Sequence, residues 1–430
     1  MARNEHYDVL IVGGGPAGIA AACCAARAGR RVAIVDDNPA QGGQIWRGMT
    51  EEWTAATQSP LAASWLRRLR EAKVEVLAGT QIVARPRDGV LLAETDADAC
   101  LLAYDKLILA AGARERFLPF PGWTLPGVTG AGGLQSLVKS GLPIAGRRVA
   151  VAGSGPVLLA VADCLRDHGA EICLIAEQAP WPRLVRFGCG LIGSPGKLLQ
   201  GAGYKWRLKT VRYRTGCWPV AAEGDGKLSS VTFHAGSKTR TVACDYLACG
   251  FGFVPSLELP TLLDCRLDGG AVWIDDWQET SVQGIYAAGE TTGVGGVDLA
   301  LIEGQIAGYA AIDCQDHAAR LFRARERGRR FVGALDRAFA LREELKSLAT
   351  AETPVCRCED VSRQQLEAYG SWREAKLQTR CGMGPCQGRV CGTAAEFLFD
   401  WQRESIRPPI FPADVGTLAE IRPLGKQPGK

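Results

Sequence analysis

The chain is poor in histidine, with four in 430 residues (His6, His168, His234 and His317), and none lies in a recognisable motif. A histidine-based metal centre or acid–base device therefore has no starting point here. His168 falls on a helical stretch and reads as a surface or packing residue. Long apolar runs are missing as well. The nearest candidate, from Val9 to Ala28, is broken by a glycine-rich turn, which argues against a membrane helix. The opening MARNEHYDVL carries no apolar signal core, so a secreted disulfide framework is not expected. There is no dense basic block either. The net charge is only +4, and Lys and Arg are scattered, which leaves nucleic acid binding without support. The most basic stretch, Arg323 to Arg330 (RARERGRR), reads as a solvated helix face. These absences place the chain in the cytoplasm. Peripheral docking at the inner face of the membrane, with contact to a quinone, stays open.

Sixteen cysteines are present. Most sit singly in apolar runs, such as Cys23, Cys24, Cys164 and Cys173, and read as small buried hydrophobes in a reducing compartment. A C-terminal group is different. Cys356 and Cys358 form C-x-C, and after a gap of 27 residues Cys386 and Cys391 form C-x₄-C. Cys381 is a fifth thiol nearby, within TRCGMGPCQGRVC. Four thiolates suit zinc or an iron–sulfur cluster. The surrounding glycines let backbone N–H groups reach cluster sulfurs, and C-x-C fits most zinc knuckles poorly. Cys381 can exchange with Cys386 as ligand on spacing alone.

At 430 residues, two or three domains are expected. Residues 7–12 (YDVLIV) read as a strand that ends at GGGPAG, followed by an Ala-rich helix and a second apolar run at Val32 to Val35. This is a βαβ unit. Gly13 permits the tight turn, Gly15 lets the backbone approach a pyrophosphate, and Gly18 lets the helix pack close to the strand. The helix N-terminus offers free N–H groups and a positive dipole end to phosphates. Asp36 closes the second strand, positioned to accept from ribose hydroxyls. A similar order returns at Arg147 to Ile175, with Gly153, Gly155 and then Leu158 in place of a third glycine. A leucine there pushes the helix away from the strand, and no basic residue replaces the acid to read a 2′-phosphate. NAD(P)H use is not expected at this second site. A purely structural domain and another adenine nucleotide remain open.

The N-terminal fingerprint together with the distant IYAAGE (Ile285 to Glu290) resembles the two-dinucleotide-binding-domain flavoproteins, the family that includes glutathione reductase and thioredoxin reductase. The resemblance implies an α/β fold with two such domains, and FAD at the first. It implies that Gly289 and Glu290 return to the first domain, Glu290 bonding the ribityl chain. Ala111 and Gly112 match the small-residue turn near the flavin. Gly43 and Gln44, within QGGQ, follow the acidic strand end where the chain passes the flavin's phosphate and ribityl portion, and Ile82 falls where an adenine contact is expected. A C-x-x-C or C-x-x-x-x-C is missing near these motifs, so a dithiol reductase mechanism lacks its residues.

The C-terminal segment resembles the [2Fe–2S] domain of the bacterioferritin-associated-ferredoxin type. That implies Cys356, Cys358, Cys386 and Cys391 as ligands. The whole combination, with QGGQ, GARER (Gly112 to Arg116) and GMGPCQGR, resembles the larger subunits of heteromeric dye-linked amine and amino-acid dehydrogenases. That group includes subunits of octopine and nopaline oxidase, hydrogen cyanide synthase, L-proline dehydrogenase and D-hydroxyproline dehydrogenase. There a separate subunit of the D-amino-acid-oxidase type oxidises a C–N bond, and the subunit resembled here forwards the electrons to a quinone or another acceptor. A small ferredoxin-like subunit occurs in some members. The resemblance also leaves room for a second flavin (FMN) or an adenine nucleotide shared with a partner subunit. A self-sufficient NAD(P)H-dependent ferredoxin-type reductase is the competing expectation. The expected organisation is an FAD-binding domain in two parts (1–120 and 256–315), a degenerate nucleotide domain (121–255), a helical connector (316–352), the [2Fe–2S] domain (353–405) and an extended tail (406–430).

Overall fold

The computed structural model describes residues 3–47, 59–191, 195–236, 238–402 and 406–420. The chain forms two compact units. One comprises Met1–Arg114, Val254–Arg330 and Ser405–Lys430, and the other comprises Glu115–Phe253 and Phe331–Glu404.

The first unit is built on a sheet in which Glu75–Ala78, Val32–Asp36, Arg3–Val12, Ala99–Leu109 and Ile285–Ala287 run parallel, in that spatial order. The long strand Ala99–Leu109 also pairs antiparallel with Val90–Glu94, which pairs in turn with Gln81–Arg87. Strands covered on both faces read as continuous apolar runs, as VAIVD at 32–36 does: all five residues are buried. Helix Pro16–Ala25 is apolar all round and nearly every residue in it is buried, as expected of a helix inside a core. It packs against helix Gly296–Ala310 at glycine-limited distance. A Cβ at Gly304 would lie 2.1 Å from the carbonyl oxygen of Ala17, and one at Gly308 would lie 2.3 Å from that of Ala21. These two glycines therefore set the helix spacing.

The second unit repeats the plan. Tyr213–Thr215, Glu171–Glu177, Arg148–Gly153, Tyr246–Gly250 and Val128–Gly130 form a parallel sheet in that order. Cys217–Glu223, Ser230–Ala235 and Lys238–Ala243 form an antiparallel meander. In the same unit, residues 353–402 build a separate small core from Val355, Val361, Leu366, Trp372, Ala375, Ala394, Leu398 and Trp401. Its short helix Arg363–Glu367 starts with a capping box between Ser362 and Gln365, and Ser371 caps Trp372–Thr379. The Trp123 indole N–H donates to the carbonyl of Pro354 at 2.6 Å and ties this core to the nucleotide-type domain.

Two sequence expectations change. The arginine-rich stretch is not wholly a solvated face. Arg325 is 2 % exposed and donates to the backbone and carboxylate of Asp276, because the apolar face of helix Phe322–Phe339 turns it inward. The tail is not simply extended. Ile410 is buried and donates its backbone N–H to Val83, and Val415–Ala419 is helical, with Thr417 and the Asp414 N–H bonded to Glu94. Among the singly placed cysteines, Cys23 and Cys24 are buried whereas Cys164 and Cys173 are half-buried.

Candidate functional site

The glycine turn after the first strand is over-determined by sterics. Gly13 has φ +111°, and a Cβ there would lie 2.2 Å from the Ala110 carbonyl oxygen. A Cβ at Gly18 would lie 1.9 Å from the Gly13 carbonyl oxygen. Gly15 differs, since a Cβ there would meet no protein atom within 4 Å. So two glycines are needed by the protein itself, and the third faces open space at the start of a helix. That is the division of roles a pyrophosphate site needs. Asp36 accepts from the Gly14 N–H with one oxygen and from the backbone and side chain of Asn38 with the other. Gly43 lies against Gly15, with a Cβ to Cα approach of 3.1 Å, and Gly42 donates to the Gly14 carbonyl. The QGGQ loop is thereby brought to the fingerprint, while Gln44 is exposed. Ala111 and Gly112 follow Ala110 under the turn, Ala111 exposed and Gly112 at φ +71°. Ile82 is buried, with its side chain in the apolar cluster that holds Leu10 and Val35.

Gly289 and Glu290 also reach this site. Gly289, at φ +72°, packs against Ala17 of the first helix, where a Cβ would come within 2.7 Å. Glu290 is half-buried. Burial raises its carboxyl pKa, and the Gly296 N–H counters this. The hydroxyl of Thr291 is wholly buried and has no hydrogen-bond partner among the described residues. An orphaned buried donor next to the second motif marks a place where a bound group fits.

Sequence reasoning missed Glu303. It is 2 % exposed, and it accepts from the Gly289 N–H at 3.1 Å and the Thr292 hydroxyl at 2.7 Å, with Arg329 at 3.4 Å from its other oxygen. Burial pushes its carboxyl up, against the pull of Thr292 and Arg329. The available signal was an acid in the middle of the apolar run LALIEGQIAG.

In the second unit Leu158 is 1 % exposed and packs with Val149 and Val151 of the adjoining strand. A functional group overlooked in the sequence is Glu177. It closes its strand and accepts from the Gly155 N–H at 2.9 Å and the Ala179 N–H at 2.8 Å. The spacing from glycine to acid is 22 residues, the same as from Gly14 to Asp36, and that equality was the missed signal. Burial raises the Glu177 pKa from 4.5 to about 7, opposed by these two N–H groups. A raised folded-state pKa means the neutral form is favoured in the fold. Its stabilising contribution is full below pH 4.5 and is lost as pH rises to about 7 and beyond. Chemical unfolding of the wild type followed by a probe in this unit should therefore show a loss of at most about 3 kcal/mol across that window. Glu177→Gln should remove that part of the slope. An unchanged slope would show that another group carries it.

The cysteine site joins five thiols. The sulfurs of Cys356, Cys381 and Cys391 lie within 4.8 Å of one another, and all three residues are buried. Cys386 is half-buried and reaches both Cys391 and the exposed Cys358. The quartet read from spacing is thus brought into one neighbourhood, with Cys381 set among its buried members. Thiol donors, Cys381 first and then Cys391, lower the Cys356 pKa to about 2, and backbone N–H groups of Gly382 and Glu359 add to this. Cys386 is lowered to about 5, with Cys391 the largest cause and the Val390 and Gly388 N–H groups contributing. The neighbouring thiols, Cys356 first, push Cys381 and Cys391 up in turn, so it is the gathering of soft sulfur donors among backbone N–H groups that suits a metal or iron–sulfur centre. The glycines matter sterically. A Cβ on Gly384 would lie 2.3 Å from Cys358 Cβ, and one on Gly382 would lie 2.6 Å from the Trp372 ring. In contrast, burial raises Cys23 to about 12 and Cys24 to about 11, leaving both as unreactive thiols.

Residues 7–307 match the family described as pyridine nucleotide-disulphide oxidoreductase. An opine oxidase subunit of Agrobacterium tumefaciens (strain Ach5) is 30 % identical, covering 98 % of this chain and 90 % of its own. The HcnB subunit of hydrogen cyanide synthase from Pseudomonas protegens is 31 % identical over 89 % of each chain. Among solved structures, L-proline dehydrogenase from P. horikoshii superposes with a TM-score of 0.72 at 20 % identity, covering 97 % of this chain and 80 % of its own. Thioredoxin reductase from T. acidophilum gives 0.55 at 21 % identity, covering 73 % and 99 %. These two structural likenesses speak to the fold. No helix among the described residues is long and apolar enough to cross a membrane.

Proposed function

This chain belongs to the pyridine nucleotide-disulphide oxidoreductase family and is an oxidoreductase, and we propose that it is the FAD and [2Fe–2S] subunit of a heteromeric amino-acid or opine dehydrogenase. One observation carries the reading. Among the described residues the fingerprint site has no reactive dithiol beside it, only the buried Cys23 and Cys24, while the sulfurs of Cys356, Cys381 and Cys391 gather within 4.8 Å of one another elsewhere in the chain, with Cys386 and Cys358 adjoining. A nucleotide site of the flavin type plus a separate thiolate site suits electron relay and not disulfide reduction.

In this reading Gly13, Gly15, Gly18 and Asp36 hold the adenine half and pyrophosphate of FAD, with Ile82 near the adenine. Gly43, Gln44, Ala111, Gly112, Gly289 and Glu290 line the ribityl and flavin end. Cys356, Cys358, Cys386 and Cys391 hold the cluster, and residues 353–405 form its domain. When bound, the flavin accepts electron pairs and the cluster passes single electrons onward. Glu303 fixes the Gly289 backbone so that the loop presents a constant face. A D-amino-acid-oxidase-like partner subunit oxidises the C–N bond, and a quinone or other acceptor takes the electrons. The relatives named as subunits support the need for a partner. Glu177 and the second glycine turn suit an adenine nucleotide or a second flavin (FMN) shared with that partner.

The test is to compare the isolated chain with its complex with the oxidase-type subunit. The complex should reduce a dye with an amino acid or opine, and the isolated chain should not. Oxidation by the isolated chain at the rate of the complex would sink the division of labour. Rapid bleaching of the flavin by NADH or NADPH would favour the self-sufficient reductase, against which Leu158 argues.

A further inference from the structure

Helices Trp181–Gly190 and Pro195–Arg207, in the second unit, carry an arrangement the fold does not use. Their inward anchors are few. Phe187 packs edge-on against Phe339 at 5.6 Å and also meets Phe331. Arg207 pairs with Asp163, and Leu208 just beyond the second helix is buried. The opposite side is apolar and exposed. Trp181, Val185 and Cys189 recur at four-residue intervals along the first helix, and all three are exposed. Leu198, Ala202 and Trp206 recur the same way along the second, with Leu199 beside them, and all four are exposed. Trp181 is 59 %, Leu199 74 % and Trp206 72 % exposed. Soluble surfaces tolerate single exposed apolar residues more readily than two helical stripes that each carry an exposed tryptophan.

Charge is equally one-sided. Between Glu177 and Glu223 there is no acidic residue, yet there are eight cations: Arg183, Arg186, Lys197, Lys205, Arg207, Lys209, Arg212 and Arg214. Arg207 pairs with Asp163, Arg183 donates to the carbonyl of Ala340, and Lys197 lies over the Phe331 ring, while Arg186 and Lys205 are exposed. Glycine is also placed where the fold gives it no reason. Gly188, Gly190, Gly196 and Gly201 lie within the two helices, and a Cβ on any of them would meet nothing within 4 Å. Each glycine weakens its helix in water, so these helices gain most from a surface that supports them.

We propose that the two helices form a monotopic docking element that lays its Trp and Leu stripes into the interface of an anionic phospholipid membrane, with the flanking cations on the headgroups. Tryptophan at headgroup depth, leucine just below it and a cationic flank are the chemistry of an in-plane amphipathic helix. The absence of any acid in the stretch selects anionic lipid over a protein surface, which would normally bring both signs of charge. The proposal extends the functional reading by placing the relay at the membrane where a lipid-soluble acceptor resides, but its observations are independent of that reading.

The test uses the full chain with its cofactors, pelleted with vesicles of phosphatidylcholine alone and of phosphatidylcholine mixed with phosphatidylglycerol. Binding should favour the anionic vesicles by about tenfold or more and fall with salt. The double variant Trp181→Ser, Trp206→Ser should lose about tenfold in partitioning. A second variant, Arg186→Glu with Lys205→Glu, keeps the stripes and should abolish the preference for phosphatidylglycerol. Assembled with the oxidase-type subunit, both variants should reduce a soluble dye with an amino acid or opine at the wild-type rate of the complex, so failure of docking is separable from failure of the relay reading. Equal binding to the two vesicle types, or no effect of either variant, overturns the proposal. So does a result in which the variants leave vesicle binding intact and instead disrupt assembly with a partner subunit or a second copy of the chain.

Discussion

Cys391→Ser should yield a protein that keeps its yellow flavin but has lost its iron. The wild type is expected to hold about two irons and two acid-labile sulfides per chain, with visible absorption beyond the flavin bands. In the variant both should fall close to zero, and the same holds for Cys356→Ser. Cys391 opens helix Cys391–Phe399 and lies within 4.8 Å of the sulfurs of both Cys356 and Cys381, so an oxygen there removes a soft donor from the centre of the set. The flavin motifs lie in the other compact unit, so flavin content should not follow the loss. Cys381→Ser against Cys386→Ser then decides the fourth ligand. With Cys356, Cys358, Cys386 and Cys391 as ligands, the first retains the cluster and the second loses it. Because metal binding is also folding free energy for such small cores, the residues 353–402 should unfold at lower temperature in every variant that loses iron. A colourless wild type loaded with zinc would falsify the iron–sulfur assignment.

The parts that could be read from the residues and those that could not differ in a physical way. The glycine turn at Gly13, Gly15 and Gly18 was legible because backbone geometry admits no other residue at two of the three positions, and the structure shows the two contacts that forbid one. The cysteine group was legible because clustered thiols among glycines suit ligation far better than the isolated packing of the other cysteines. Glu303 and Arg325 were not, because each is a charged residue whose burial is decided by partners far along the chain: Gly289 and Thr292 for one, Asp276 for the other. Local pattern assigns a charge to the surface by default, and only tertiary packing reverses it. The order of thiols was also hidden. Spacing leaves Cys381 and Cys386 interchangeable, whereas the small core around Trp372 and Leu398 buries Cys381 beside Cys356. Leu158 shows the reverse case, since a position that breaks a motif is read easily from sequence, while the retained acid Glu177 needs the neighbouring backbone to be seen.

Gly15→Ala and Gly18→Ala should separate binding from folding at the nucleotide turn. Both replace a hydrogen by a methyl group three residues apart, yet the surroundings differ completely. At Gly18 the new carbon meets the Gly13 carbonyl oxygen at 1.9 Å, so the helix must move off the strand. That overpacking should cost about 1–3 kcal/mol or more and lower the melting temperature of the apoprotein as well as its flavin content. At Gly15 the backbone sits at φ −77° and ψ −176°, which alanine adopts without strain, and no protein atom lies within 4 Å of the added carbon. The apoprotein should therefore melt as the wild type does. If the empty space before the helix is where a pyrophosphate lies, the same methyl group occupies the phosphate's place and draws it off the helix N–H groups. FAD affinity should then fall about a hundredfold, or ~3 kcal/mol, with stability untouched. Equilibrium titration of apoprotein with FAD, alongside thermal melts of the same preparations without it, measures both quantities. A Gly15→Ala protein that binds FAD as tightly as the wild type places the cofactor elsewhere, because nothing among the described residues requires glycine at that position.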